Sequence, residues 1–217
     1  MEKRPVIIDT DPGIDDAVAL AIALFSDQLE VKLITTVAGN VGLEAVTANT
    51  IRLLTYFGTK IPVAAGAARP LIRQFEDASN VHGKTGLEGF DFEESDYSVL
   101  LKEHAVNAMY RVIMESDVPT TIVPIAPLTN IALLLSLYPE CKEKIQEIVL
   151  MGGSVTRGNK GVMSEFNIAT DPEAAKIVFD SGVPIVMAPM DLGPQTIIMP
   201  EDSARLQTLN KTGEMLY

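Results

Sequence analysis

The chain has 217 residues, 47% hydrophobic and 21% charged, and its 17 Lys and Arg against 29 Asp and Glu leave a formal net charge of −12. That length and balance suit a globular chain with one large core, and the negative field argues against nucleic acid or an anionic membrane surface as a partner. One cysteine, Cys141, cannot form an internal disulfide, and the two histidines lie far from it in sequence, so no disulfide framework or soft-metal cluster can be built and a reducing cytoplasm is the expected compartment.

In chain order, Pro5 to Asp9 reads as a first strand, Asp15 to Ser26 as a helix, Val31 to Val37 as a strand and Leu43 to Phe57 as a helix. Ile61 to Ala65 follows as a strand, Val99 to Glu115 as a helix with His104 inside it, Thr120 to Ile125 as a strand and Leu128 to Leu137 as a helix. Glu147 to Met151 and Pro184 to Ala188 are strands on either side of a helix from Pro172 to Ser181, which Asp171 caps with Pro172 at its first position. Short β-branched runs bounded by Gly, Pro, Asn or Asp, alternating with longer segments of helical spacing, predict an α/β fold: a mostly parallel, Rossmann-like sheet flanked by helices. Neither a repeat nor a Ser/Gly linker divides the chain, so one domain over 1–217 is expected. No apolar run approaches a membrane span, and the run after Pro5 is too short for an export signal.

Two long stretches interrupt the alternation. Residues 66–96 are glycine-rich and acidic and contain His82, and residues 152–170 hold Asn159, Glu165 and Asn167. In an α/β sheet such loops serve a site at the carboxyl ends of the strands. Glu93, Glu94, Ser95 and Asp96 read as a solvated face. Pro200 to Leu209 reads as a helix, and a new amphipathic segment opening at Thr212 stops at Tyr217, so the C-terminal part of the domain is expected to be absent.

Where the first strand meets the first helix, Asp9, Asp11, Asp15 and Asp16 place four carboxylates within eight residues. Two like charges ~4 Å apart repel by about 4 kcal/mol at an effective dielectric of 20, so the cluster calls for protons or a cation. Asp at a helix start is commonplace, but a cap needs one carboxylate and here there are four. A hard, oxygen-seeking cation such as Ca²⁺ or Mg²⁺ suits this donor set, and no thiolates or paired imidazoles are present to favour zinc or copper.

The run Asp9-Thr10-Asp11-Pro12-Gly13-Ile14-Asp15-Asp16-Ala17 resembles the signature of the inosine-uridine nucleoside N-ribohydrolase family. Further matches follow in order: Thr36-Val37-Ala38-Gly39-Asn40, Val81-His82-Gly83, Ala126-Pro127-Leu128-Thr129-Asn130, Met151-Gly152-Gly153 and Glu165-Phe166-Asn167-Ile168, the last leading to Asp171-Pro172-Glu173-Ala174-Ala175. The resemblance covers nearly the whole chain. It implies a nucleoside hydrolase-like fold and hydrolysis of ribonucleosides to ribose and free base, with Ca²⁺ as cofactor and a Ca-bound water activated by Asp11. Asp11 then matches a metal ligand and general base, Asp16 a bidentate ligand, and Thr129 a ligand through its carbonyl. Asp15 and Asn167 match groups on the 2′ and 3′ hydroxyls, Asn40 lines the ribose site, Asn159 and Glu165 lie near the 5′ hydroxyl, and His82 lies near the base. Met151 is a pocket residue, and a homodimer or homotetramer is implied. The family's C-terminal His-Asp pair, a leaving-group acid and a further metal ligand, has no match in these 217 residues.

Two other readings compete with this one. Asp9-x-Asp11 after a first strand also resembles the nucleophile motif of Mg²⁺-dependent haloacid-dehalogenase phosphatases, although Gly13 stands where that family carries Thr or Val. A non-catalytic nucleoside- or ribose-binding protein is the remaining alternative.

Overall fold

A computed structural model describes residues 3–88, 90–92 and 95–217, with the His82 side chain also outside the description. In chain order its elements are β1 (Arg4–Thr10), α1 (Ile14–Phe25), β2 (Leu29–Thr36), α2 (Leu43–Phe57), β3 (Val63–Ala65), α3 (Ser79–His82), α4 (Ala105–Glu115), β4 (Thr120–Pro124) and α5 (Thr129–Leu137). They continue with β5 (Ile145–Met151), α6 (Phe166–Thr170), α7 (Pro172–Phe179), β6 (Ile185–Ala188), α8 (Pro200–Gln207) and α9 (Lys211–Met215). The strands form one sheet in the order β3-β2-β1-β4-β5-β6, and every neighbouring pair runs parallel.

Alternation along β1 shows how the sheet is covered on both faces. Val6 and Ile8 pack with Leu20, Ile51 and Leu54 of α1 and α2, whereas Ile7 packs with Met109, Ile131 and Ala175 of α4, α5 and α7. Successive strand side chains point to opposite faces, so a strand buried on both must be apolar throughout, as the Val6-Ile7-Ile8 run is.

The strand order reverses between β1 and β4, and in such a sheet the crevice at the carboxyl ends of these two strands is where ligands bind. The acidic segment leaves β1 at that point, and α5 begins just beyond β4 on the other side.

Several expected boundaries shift, most of them by one or two residues. The helix placed over Val99 to Glu115 starts at Ala105, because residues 97–101 are drawn to the sheet: Tyr97–Val99 form a single 3₁₀ turn, Leu100 bridges Val63, and the Leu101 N–H donates to the Val63 carbonyl at 2.7 Å. Their apolar side chains carry the helical period further back than the backbone follows it. His104 therefore precedes the helix as its cap, its Nδ1 accepting the Val106 N–H at 3.3 Å. Leu128 likewise stands just ahead of α5. The solvated face read at Glu93 and Glu94 lies outside the described residues.

Candidate active site

The acidic turn is assembled by its own backbone and by β2. Asp9, in the last turn of β1, is fully buried, and its Oδ1 accepts the Thr35 hydroxyl at 2.5 Å and the Asn130 side-chain amide at 2.8 Å. Asp16 is one residue past Asp15 on α1, about 100° further around the helix. Asp15 is therefore exposed, whereas Asp16 turns inward to 5% exposure. Asp16 accepts the Thr10 hydroxyl on Oδ1 (2.7 Å) and, on Oδ2, the Gly13 N–H (3.0 Å) that would otherwise be an orphan of the first helical turn.

Asn40 closes the turn from above. Its N–H donates to Asp11 Oδ2 at 2.7 Å, and its amide donates to the Asp11 carbonyl at 3.0 Å and to Asp16 Oδ2 at 3.3 Å. This approach requires glycine at position 39, where a Cβ would fall 2.0 Å from Asp11 Oδ2.

Asp11 Oδ1 is left buried without a hydrogen-bond partner. A buried polar atom with no partner costs free energy that a ligand can recover. Burial, and after it the neighbouring Asp16 charge, raises the Asp11 carboxyl well above the usual range. Burial also pushes Asp9 to about 7 and Asp16 to about 7, with the Asp15 charge adding to the effect at Asp16.

A cavity of about 600 Å³ opens over the cluster, within the range of small-molecule sites. Of the residues singled out from sequence, it brings together Asp15, Asp16, Asn40, Met151, Asn159, Glu165 and Asn167. Asp11 lies beneath, 1% exposed and joined to the lining through Asn40. Thr129, 2% exposed, is not in the lining, and its hydroxyl donates to Asp171 Oδ2 at 2.7 Å. The backbone of His82 ends α3, next to the lining residues Asn80 and Val81, and its side chain lies outside the described residues.

The carboxylate of Glu165 is held from behind. It accepts the Gly153, Asn167 and Ile168 N–H groups at 2.9, 2.9 and 3.2 Å, and so caps α6. Asn167 in turn donates to the Ile125 and Met151 carbonyls, both at 3.3 Å.

Several residues of the site have no site role in the sequence reading, Asp171 being expected there only as a helix cap. Asp77, Asn80 and Lys160 line the cavity from the two long loops, whose length was the available signal. Asn130 and Asp171, both fully buried, brace it from beneath: Asn130 ties Asp9 to the Thr36 carbonyl and the Ala67 N–H, and Asp171 ties Thr129 to the Leu71 and Ala174 N–H groups. Both stood inside recognised motifs, but a sequence does not show what a buried amide bonds to.

Among the described residues no three His, Cys, Asp or Glu side chains gather in a metal-binding group, so a cation here would draw on two carboxylates and neutral oxygens. Asp11, with its unpartnered buried oxygen, and Asp16 beside it fit a hard divalent cation of that kind.

A parallel sheet of this order, with an acidic cluster and a cavity of small-molecule size at its switch point, defines an α/β enzyme that binds a small molecule over the carboxyl ends of its strands. The family model described as inosine-uridine preferring nucleoside hydrolase matches residues 6–217. The non-specific ribonucleoside hydrolase RihC of Escherichia coli is 51% identical over 215 residues, which cover 99% of this chain and 70% of that protein. Among solved structures, a plant nucleoside hydrolase, PpNRh1, superposes with a TM-score of 0.92 at 34% identity over 100% of this chain and 69% of that one. The purine-preferring ribonucleoside hydrolase from Gardnerella vaginalis does so with a TM-score of 0.93 at 32% identity over 98% and 69%. The chain belongs to the nucleoside hydrolase family, and its enzyme class is nucleoside N-ribohydrolase.

Proposed function

We propose that this chain hydrolyses the N-glycosidic bond of purine and pyrimidine ribonucleosides with a Ca²⁺ ion held by Asp11, Asp16 and the Thr129 carbonyl, and with Asp11 as general base. One observation carries this reading: the partnerless, buried Asp11 Oδ1 beneath a cavity that carboxylate and carboxamide side chains line and that is large enough for a nucleoside. The Escherichia coli relative at 51% identity is a ribonucleoside hydrolase named as non-specific, which supports breadth across bases.

When bound, the cation supplies Lewis-acid polarisation of water and of the sugar hydroxyls. Asp11 takes a proton from the attacking water as the new oxygen–C1′ bond forms and the C1′–N bond breaks, the bonding electrons leaving with the base, which takes up a proton from solvent. Asp15, and Asn167 through its side-chain carbonyl, accept from the vicinal 2′ and 3′ hydroxyls, fixing the ribose for attack. Asn40 keeps Asp11 aimed, and Asn159 and Glu165 hold the 5′ end, with Met151 as an apolar wall. Glu165 and Asn167 are rigid because their backs are bonded to main chain. Copies of the chain associating as dimers or tetramers in a reducing cytoplasm complete the reading, which size-exclusion with light scattering checks. No helix among the described residues is long and apolar enough to cross a membrane.

The phosphatase alternative loses its nucleophile. Asp9 would have to reach substrate, yet it lies within β1 itself with its Oδ1 engaged by Thr35 and Asn130, whereas Asp11, equally buried, stands in the turn beyond the strand and is joined to the cavity lining through Asn40.

Incubation with inosine, uridine and p-nitrophenyl riboside, with Ca²⁺ or EDTA, tests the proposal. Release of ribose and free base that depends on the cation is the expected result. Phosphate release from p-nitrophenyl phosphate, or nucleoside binding without bond cleavage, would overturn it.

A further inference from the structure

The cavity wall formed by residues 152–165 is held almost without hydrophobic burial. Its apolar side chains Val155, Val162 and Met163 are 71%, 85% and 56% exposed, so the hydrophobic effect does not fix its position and polar contacts must. Within the loop these are local: the Lys160 N–H donates to the Ser164 carbonyl at 2.8 Å, and Asn159 Oδ1 accepts the Phe166 N–H at 2.8 Å. Glu165 secures the inner leg at the Gly153 N–H. The Lys160–Glu76 ion pair at 3.2 Å is solvent-exposed and contributes little.

The outer leg is fastened by a residue from another element. Asp191 lies in the 3₁₀ turn Met190–Gln195 that follows β6. One of its oxygens accepts the Val155 N–H at 2.7 Å, and the other accepts the Thr156 N–H at 2.9 Å and the Thr156 hydroxyl. These bonds are exposed as well, but two successive main-chain amides and a hydroxyl converging on one carboxylate make charge-assisted bonds, stronger than neutral ones, and fix two backbone positions at once. They fall three and four residues ahead of Asn159, with Arg157 between.

We propose that Asp191 is a positioning residue of the substrate pocket, anchoring the 154–160 segment to the edge of the sheet and so holding Asn159 and Lys160 in the cavity wall without touching substrate itself. The inference rests on that cavity being the nucleoside site proposed above. Losing the anchor frees the wall to sample positions away from the bound sugar, which weakens binding before it affects the bond-breaking step.

The test uses the full chain with Asp191→Ala, Asp191→Asn, Asn159→Ala and the double variant Asp191→Ala/Asn159→Ala. For inosine, Asp191→Ala should raise KM by about tenfold and lower kcat by no more than about threefold. Asp191→Asn keeps one oxygen acceptor and should fall between. The double variant should be within about twofold of Asn159→Ala alone, because both changes act on the same contact. Independently of activity, trypsin should cut after the exposed Arg157 about tenfold faster in Asp191→Ala than in the parent, with the melting temperature little changed. Unchanged cleavage at Arg157 in both Asp191 variants, or KM effects that multiply in the double variant, overturns the proposal. A parent without nucleosidase activity removes the functional reading, while the cleavage comparison still decides whether Asp191 holds the loop.

Discussion

Asp11 divides its two oxygens between structure and chemistry: Oδ2 takes the Asn40 N–H, and Oδ1 faces no donor. Asp11→Asn keeps the volume and leaves an acceptor for Asn40, but it removes both the proton acceptor and the anionic ligand. The expected outcome is a fall in kcat for inosine of about 10²–10⁴, with the circular dichroism spectrum unchanged. Activity within a few-fold of the parent would take Asp11 out of the general-base role. The carboxylate cluster was readable in the sequence because four acids in so short a run need an explanation, and Asn40 only through the family motif that ends in it. The split between exposed Asp15 and buried Asp16 follows from helix geometry once α1 is placed against the sheet. That Asn130 would pair with Asp9, 121 positions away, depends on packing that no local pattern records.

At the level of elements, Asp171 was readable as the cap of α7, and the structure gives it that bond, the Ala174 N–H at 3.0 Å. What the local pattern could not convey is that its other oxygen takes the Thr129 hydroxyl and the Leu71 N–H, so one side chain joins α7, α5 and the loop after β3. Asp171→Ala leaves these three donors unpaired, in a site with no exposure. A buried donor left unsatisfied costs about 1–3 kcal/mol, partly relieved where water can enter, so a loss of about 3 kcal/mol is expected in total. For a chain of this length that lowers the melting temperature by about 6–12 °C, read by calorimetry. A change of under about 2 °C would show the bonds to be replaceable by water. Strands and most helices were placed within a few residues because their apolar periods differ. The start of α4 was misplaced because Leu100 and Leu101 satisfy both the helical pattern and the edge of β3, and only the hydrogen bond to Val63 decides between them.

For the molecule as a whole, the buried acids couple stability to pH and to cation in opposite senses. Burial raises Asp9 and Asp16 to about 7, and Asp11 is raised as well, whereas in the unfolded chain each titrates near 3.8. Between about pH 4 and pH 7 the folded state therefore holds more protons than the unfolded one, and stability must fall as pH rises through that window. The net charge of −12 acts in the same direction, since repulsion in the compact state grows as the last carboxyls ionise. A divalent cation binds the ionised carboxylates, so its contribution increases over the same interval. Without added metal and with EDTA present, the melting temperature should drop from pH 5 to pH 8. With Ca²⁺ at about a hundred times its dissociation constant at pH 8, binding adds about 2.7 kcal/mol, or about 5–10 °C, and the gain shrinks towards pH 5 as protons compete for the same oxygens. The measurement is a pair of thermal melts at each pH, with EDTA and with Ca²⁺. Curves that run parallel across the range would mean that the cation, if it binds at all, does not bind at the buried acids, and Asp11 and Asp16 would no longer stand as its ligands.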